Sequence, residues 1–357
     1  MLKKVAALLL ACASAATWTS CGSTSNNFVY AAIPGASEIV VFREDPNSGI
    51  LIALSTSPIS AGPGVHSLVI HPSKKYVYAV NTGENDLSQF TVNSGTLVET
   101  GSRTSVLPAT APNLVAMDPS GNYLYVADSG SNTVSAFSIG SGGTLSQVPG
   151  SPFPMGVTAL SMAVSPSGNV LYVTGDQGPL GYIYAFSLVA GQLQTPLLGS
   201  ALIGTNPYGL AINSAGTFLY TANAAPDNSI SAVALGSDGS PGQVTTFGSG
   251  QGLISPEALL IDKSGKYLYV ANNTSSGTLV LYTIGSDGGL SPVQNGTYGT
   301  GAGPGVIAGD PSGNYIFVGN QSTPTVQSFN LNTGSGALTS VASYSVSGTP
   351  TSIVVLH

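Results

Sequence analysis

The chain has 357 residues, of which 42% are hydrophobic and only 6% are charged, and its formal net charge at pH 7 is −7. Disordered chains are rich in charge and poor in apolar residues, so this composition predicts a folded protein with a substantial core. Eight Lys and Arg residues against fifteen Asp and Glu leave no basic patch, which argues against binding to nucleic acid or to anionic lipid.

The N-terminal segment resembles a bacterial export signal, with two lysines in the first four residues and an apolar run over 5–16 that is too short to span a bilayer. Cys12 and Cys21 each end a candidate lipobox. Cys12 has the better preceding residues, and Cys21 has the better distance from the start. We favour lipidation at Cys21, because cleavage before Cys12 would leave an unusually short apolar segment. The alternative is ordinary signal-peptidase cleavage near Ala16, which leaves Cys21 free.

This interpretation divides the chain into a signal peptide at 1–20, a polar tether at 21–27 and a folded domain at 28–357. The mature protein keeps at most one cysteine, so no intramolecular disulfide can form. We expect an exported monomer in the periplasm or on the cell surface, held at the membrane only by an N-terminal lipid.

An internal repeat of 47 to 49 residues fills the folded domain. Its clearest copy is the segment from Lys266 to Asn272, which reads Lys-Tyr-Leu-Tyr-Val-Ala-Asn. The central aromatic residue recurs seven times, as Tyr30, Tyr78, Tyr125, Tyr172, Tyr220, Tyr269 and Phe317. Seven repeats therefore account for the whole domain.

Each repeat predicts four short strands and no helix. In the third repeat these strands are 114–118, 123–127, 133–139 and 145–148, and a Pro-Ser-Gly-Asn turn at 119–122 joins the first two. Four strands per period with glycine-containing turns are typical of a propeller blade, which buries its apolar faces only against neighbouring blades.

The two ends of the domain predict how the ring closes. The first repeat begins at its Tyr strand and lacks the strand that should precede it, whereas the segment 351–357 matches that missing strand. Pairing of the two ends would remove an exposed sheet edge. The predicted fold is an all-β, seven-bladed β-propeller with four antiparallel strands per blade, in which the C-terminal strand closes the first blade.

These motifs resemble a known family. Segments such as Tyr-Val-Ala-Asn at 269–272 and Tyr-Val-Thr-Gly at 172–175 are similar to YVTN-type repeats, and the wider pattern resembles the lactonase-like seven-bladed propellers. That family includes bacterial 6-phosphogluconolactonases. The resemblance covers residues 28–357 and implies the fold strongly, but it implies activity only weakly because the shared motifs build blades.

Sites in propellers usually form where the innermost strands open onto the central channel. Counting back five residues from the aligned strand ends predicts an entrance ring of His66, Asn113, Leu160, Tyr208, Glu257, Gly305 and Ser352. We expect His66 and Glu257 to be the candidate catalytic residues. Asn113 and Tyr208, with Ser161 one residue further along its strand, are the candidate substrate-binding residues.

His66 lies in a segment that resembles the Pro-His strand start of the phosphogluconolactonase-like proteins. A neutral imidazole there could act as a general base that activates water toward a lactone. The alternative is that His66 is a hydrogen-bonded channel residue without a catalytic role. Glu257 could orient His66, or it could be a solvated rim residue.

Cofactors and metals are not expected. Glu257 and Asn113 offer too few oxygen ligands for calcium, so no metal site is predicted. Phosphate subsites usually need Arg or Lys, and Arg43 and Arg103 both fall outside the inner strands.

Two functions remain open on the sequence. The favoured one is a non-catalytic propeller on the cell envelope that binds a small carbohydrate, a lactone or an envelope protein. The alternative is a lactone hydrolase that resembles 6-phosphogluconolactonase but acts on an unphosphorylated lactone, with His66 as the general base.

Overall fold

A computed structural model describes residues 27–195, 197–248 and 251–357, and the predicted signal peptide, both candidate lipidation cysteines and nearly all of the tether lie outside these ranges. Within the described part, 32 strands form seven separate antiparallel sheets. The innermost strands of neighbouring sheets contact one another around a closed ring. The predicted seven-bladed β-propeller is therefore confirmed.

Each blade contributes one inner strand to the wall of the central channel. Blades are numbered here by the order of their Tyr strands, so blade 1 contains Tyr30. From blade 1 to blade 7 the inner strands are β32 (Ser352–Leu356), β5 (Val65–Ile70), β10 (Pro112–Met117), β15 (Ser161–Val164), β20 (Pro207–Ile212), β24 (Pro256–Ile261) and β28 (Pro304–Gly309).

The second and third strands form the buried body of each blade. The second strands are β1 (Asn27–Ile33), β6 (Tyr76–Asn81), β11 (Tyr123–Asp128), β16 (Val170–Gln177), β21 (Phe218–Asn223), β25 (Tyr267–Asn272) and β29 (Tyr315–Asn320). The third strands are β2 (Glu38–Glu44), β7 (Asp86–Asn93), β12 (Thr133–Ile139), β17 (Leu180–Val189), β22 (Ser229–Leu235), β26 (Thr278–Ile284) and β30 (Thr325–Leu331).

The fourth strands form the outer edge of the ring and are more exposed. They are β3 (Leu51–Ala53), β8 (Thr96–Glu99), β13 (Leu145–Gln147), β18 (Gln192–Leu193), β23 (Pro241–Phe247), β27 (Leu290–Gly299) and β31 (Leu338–Ser345). Four further segments extend this edge, namely β4 (Ile59–Ser60), β9 (Thr104–Ser105), β14 (Phe153–Pro154) and β19 (Gly199–Ile203). Two single-turn 3₁₀ helices occur at Pro34–Ala36 and Ser141–Gly143.

The two ends of the described chain pair as predicted. Strand β32 runs antiparallel to β1, with Leu356 opposite Phe28 and Ser352 opposite Ala32. The ring is thus closed by hydrogen bonds between residues more than 300 positions apart, and blade 1 has no free inner edge.

Neighbouring blades meet through aromatic residues and glycine turns. The aromatic residues that identify the repeat are almost fully buried, and five of them donate their hydroxyl to a carbonyl in the next blade. Tyr30, for example, donates to the carbonyl of Gly95 over 2.9 Å, and Tyr269 donates to Gly336 over 2.6 Å. These hydroxyls satisfy turn carbonyls that would otherwise lack a partner inside the ring.

Glycine is required at these turns for two reasons. Gly288 has a φ of 77°, and a Cβ built on it would lie 2.3 Å from a ring carbon of Phe218 in the preceding blade. A side chain at this position would therefore be strained and would push two blades apart.

One blade carries a carboxyl group at a position that is apolar elsewhere. Glu44 at the end of β2 lies opposite Asn27, and the matching residues of blades 2 to 7 are Val92, Ile139, Leu188, Leu235, Ile284 and Leu331. Glu44 is fully buried, and neither carboxyl oxygen has a partner with hydrogen-bond geometry among the described residues. Burial and the charge of Asp310 raise the pKa of Glu44 to about 7, and the nearby Asn27 amide offsets only part of this.

Asp128 in blade 3 is a second buried carboxyl group. Most other blades have Asn at this position, and burial raises the pKa of Asp128 to about 7 although Ser135 and Thr133 donate hydrogen bonds to it. The folded protein therefore holds a proton on each of these two carboxyl groups up to about pH 7.

No helix in the described part of the chain is long and apolar enough to cross a membrane.

We predict that Glu44→Leu stabilises the protein above pH 7. The folded state holds a proton on Glu44 up to about pH 7, whereas the unfolded chain releases it near the ordinary value of 4.5. The contribution of Glu44 to wild-type stability should therefore be fully present below pH 4.5 and be lost as the pH rises through 7. The variant should lack this loss, which is on the order of 3 kcal/mol for a shift of that size.

Thermal unfolding at pH 5 and pH 8 measures this difference. Asp128→Asn should remove a separate part of the pH dependence, because the two sites lie in different blades and their effects should add. A Glu44→Leu variant whose melting temperature falls between pH 5 and pH 8 as much as that of the wild type would contradict the prediction.

Candidate functional site

The entrance ring consists largely of β-bulge residues. In blades 2, 3, 5, 6 and 7 the pairing between inner and second strands skips one residue, and the skipped residues are His66, Asn113, Tyr208, Glu257 and Gly305. A bulge releases one residue from the ladder and redirects its side chain. The bulge thus places the variable residue of these five blades at the channel entrance.

A left-handed residue precedes each bulge by two positions. These residues are Gly64, Ala111, Asn206, Ser255 and Gly303, with φ values between 47° and 69°. Each of their carbonyls accepts a hydrogen bond from the backbone N–H that follows the second strand, as between Asn273 and Ser255 over 2.9 Å. The same strained turn therefore fixes the entrance residue in five blades.

The structure of blade 1 differs from the predicted entrance ring at one residue. Ser352 lies opposite Ala32, just as Ala258 lies opposite Ala271, so the residue level with Glu257 is Thr351 and the prediction of Ser352 was wrong by one position. The error arose because no turn connects β32 to β1, so the fixed spacing of the other blades does not apply there. The entrance ring of the structure contains Thr351 instead of Ser352.

His66 is held by its neighbours on both sides. Its Nδ1 lies 2.8 Å from the carbonyl oxygen of Asn113, and its own carbonyl accepts a hydrogen bond from the Thr351 hydroxyl over 2.6 Å. A carbonyl only accepts, so Nδ1 carries the proton and Nε2 is the basic nitrogen. Burial lowers the pKa of His66, and the bond to Asn113 opposes this in part. The imidazole is therefore neutral at pH 7.

Glu257 lies in a partly buried position in blade 6. The side-chain amide of Asn273 donates a hydrogen bond to its Oε2. Burial raises the pKa of Glu257, and the bond from Asn273 offsets part of the increase. Glu257 can consequently accept hydrogen bonds as a carboxylate or donate one when it is protonated.

Tyr208 is the most exposed aromatic residue at the entrance. Its side chain is 43% exposed, and it borders a cavity of ≈320 Å³ together with Glu257, Gly305, Thr351 and Ser352. Burial and the charge of Glu257 raise the pKa of the Tyr208 hydroxyl, which keeps it protonated. Larger hollows of ≈400 and ≈540 Å³ lie between outer strands of blades 4 to 6, away from the entrance ring.

The structure brings together only part of the predicted site. Tyr208 and Glu257 share the cavity, whereas His66, Asn113 and Ser161 belong to blades 2 to 4 and do not line it. His66 and Glu257 are three blades apart in the ring, and no hydrogen bond joins them among the described residues.

Two polar features of the site were missed by sequence reasoning. Asn273 supports Glu257, and it could have been suspected because it directly follows the repeated Tyr-Val-Ala-Asn segment. Thr351 was missed because the predicted register of blade 1 was wrong by one residue, which put Ser352 in its place. In addition, the buried Oδ1 of Asn113 has no hydrogen-bond partner in the described ranges, so it remains available to a donor.

Charged groups that could hold a metal or a phosphate are sparse at the entrance. Among the described residues no three His, Cys, Asp or Glu side chains cluster as metal ligands. Arg103 pairs with Glu84 and Glu99 at the outer side of blade 2, and Arg43 lies on a third strand.

Comparisons with known proteins agree with the propeller architecture. Residues 249–355 match the family described as lactonase, 7-bladed beta-propeller, and residues 118–134 match the LVIVD repeat. No curated protein sequence matches the chain significantly.

Several solved structures share the fold over nearly their whole length. A putative 6-phosphogluconolactonase from Bacteroides fragilis matches at 20% identity with a TM-score of 0.78, and the alignment covers 94% of this chain and 99% of that one. The periplasmic gluconolactonase of Pseudomonas aeruginosa matches at 21% identity with a TM-score of 0.73, covering 93% of this chain and 99% of that one. At such low identity these likenesses establish the fold alone.

Proposed function

We propose that this chain, which is a lactonase-like seven-bladed β-propeller, is a ligand-binding protein of the cell envelope whose site is the cavity beside Tyr208. The observation that carries the proposal is the pairing of a half-exposed aromatic ring with a partly buried carboxyl group above one cavity. An aromatic face packs well against the apolar face of a sugar or lactone ring, and a fixed carboxyl group selects its hydroxyls.

The cavity favours a small ligand over an envelope protein. Its volume of ≈320 Å³ lies at the lower end of the range of small-molecule sites, and its walls come from blades 5, 6, 7 and 1 with Leu114 of blade 3. The described residues at the entrance offer no Arg or Lys. An uncharged carbohydrate or lactone therefore fits the site better than a phosphorylated one.

The binding proposal predicts that Tyr208→Ala weakens affinity at least tenfold, because the variant removes the stacking surface. Tyr208→Phe should keep most of the affinity, and Ser161→Ala should be neutral because Ser161 lies outside the cavity. Calorimetric titration with methyl β-D-glucoside and δ-gluconolactone measures the effect. The proposal fails if neither compound binds, or if Tyr208→Ala binds as tightly as the wild type.

A lactone hydrolase is the second candidate, and the state of His66 favours it. With Nδ1 bonded to the Asn113 carbonyl, Nε2 could take a proton from water as the water oxygen attacks a lactone carbonyl. The ring C–O bond would then break, and the leaving alkoxide would recover the proton from the imidazolium. Glu257 bonds to Asn273 and His66 to Asn113 among the described residues, so we propose that any catalytic role of Glu257 is separate from that of His66.

If the protein hydrolyses lactones, His66→Ala should lower the rate by about 100-fold or more, as expected for loss of a general base. Burial lowers the pKa of His66 below its ordinary value of 6.5, so activity should fall only at a pH below the range in which an ordinary histidine becomes charged. The control is His71→Ala, which removes a turn histidine at the other end of β5. Turnover that survives His66→Ala would exclude this candidate.

Attachment to the envelope rests on the N-terminal sequence, and we propose that Cys21 carries the lipid. In cells that export the protein, Cys21→Ala should release a soluble propeller from the membrane fraction, and Cys12→Ala should leave it attached. Fractionation followed by immunoblotting gives the readout. The reverse pattern would identify Cys12 as the anchor, and release of both the wild type and the variants would indicate ordinary signal-peptidase cleavage.

A further inference from the structure

The channel wall changes character with depth. We count depth along each inner strand from its entrance-ring residue, which is level one. Levels one and two hold all the polar side chains of the upper wall, such as Glu257 at level one and Ser161 and Ser352 at level two. At levels three, four and five every residue in all seven blades is apolar or glycine. From level three to level five, the inner strands therefore carry no polar side chain.

The apolar third level is accessible from the cavity on one side of the ring. Leu210, Leu259, Ile307 and Ile353 line the cavity from blades 5, 6, 7 and 1. Leu210 and Ile307 keep part of their surface exposed although they lie at the centre of the molecule. Gly209 and Ala258 at level two and Gly305 at level one also line the cavity and present no polar side chain to it. Apolar surface exposed inside a concave site is typical of ligand pockets.

We propose that the cavity binds an amphipathic ligand, with a polar ring at Tyr208 and Glu257 and a short aliphatic substituent against Leu210, Leu259 and Ile307. This inference rests on the proposed binding function and specifies the class of its ligand. A sugar or lactone without such a substituent would leave the third level in contact with water. An alkyl chain would remove that surface from water, which is favourable in proportion to the area buried.

The geometry limits the length of the substituent. Levels one and three are two residues apart along a strand, or about 7 Å at a rise of about 3.3 Å per residue. A cavity of ≈320 Å³ can hold one ring and a short chain but no long acyl chain. Each buried methylene should tighten binding by about fourfold.

Two glucosides that differ only in the alkyl group test the proposal. Hexyl β-D-glucoside, used below its micellar concentration, should bind at least tenfold more tightly than methyl β-D-glucoside in calorimetric titrations. Ile307→Thr places a hydroxyl in the apolar wall, so it should reduce the preference for the hexyl compound severalfold and leave the affinity for the methyl compound unchanged. Val115→Thr is the matched control, because Val115 occupies the same level in blade 3 outside the cavity.

The possible outcomes distinguish failure of the inference about the aliphatic substituent from failure of the proposed binding function. Equal affinities for the two glucosides would overturn the inference and leave the binding function standing, whereas no binding of either compound would overturn both. A hexyl preference that is unchanged in Ile307→Thr would place the alkyl chain elsewhere and would also overturn the inference. If Ile307→Thr does not fold, Leu210→Thr replaces it, because Leu210 lines the same cavity at the same level in blade 5 and keeps part of its surface exposed.

Discussion

The contact between an aromatic strand and a glycine turn of the next blade holds this ring together. The residue two positions before each repeated aromatic packs on a turn glycine with positive φ in the following blade, and this contact occurs at all seven interfaces. These residues are Phe28, Tyr76, Tyr123, Val170, Phe218, Tyr267 and Tyr315. The glycines are Gly49, Gly95, Gly143, Gly191, Gly239, Gly288 and Gly336. Each blade is too thin to bury its own faces, so stability depends on repeating this contact without a gap.

The residues at the entrance differ from blade to blade because the packing that holds the ring together does not involve them. Packing is satisfied by the second and third strands and by the apolar lower levels of the inner strands, whereas the bulge residues at level one contribute little to it. Histidine, asparagine, leucine, tyrosine, glutamate, glycine and threonine therefore share one structural position in seven blades. The scaffold holds these seven positions rigidly, and the residue at each position determines which chemical groups face the entrance.

The repeat in the sequence predicted the blades and their strands. It did not predict the β-bulges or the register of β32, because these depend on pairing between strands. Seven blades follow from the spacing of the aromatic residues, and four strands per blade follow from the pattern of strands and turns within a repeat. The C-terminal closure follows from the match of 351–357 to the strand that the first repeat lacks. The bulge at Glu257 is a defect in pairing between two strands, and the residues themselves carry no clear sign of it. The register of β32 escaped prediction because it is set by pairing with β1 rather than by a connecting turn, so Thr351 was displaced by one position.

The same division between scaffold and entrance limits what a likeness in fold says about activity. The solved structures at about 20% identity share the fold of this chain, but a shared fold does not determine the residues at the entrance ring or their activity. In this chain the entrance pairs an aromatic ring with Glu257 on one side and places His66 on the other, above walls that become wholly apolar two residues below. We therefore propose that this cavity, with its polar rim and apolar floor, binds a ligand through both its ring and its substituent and does not select for a phosphate.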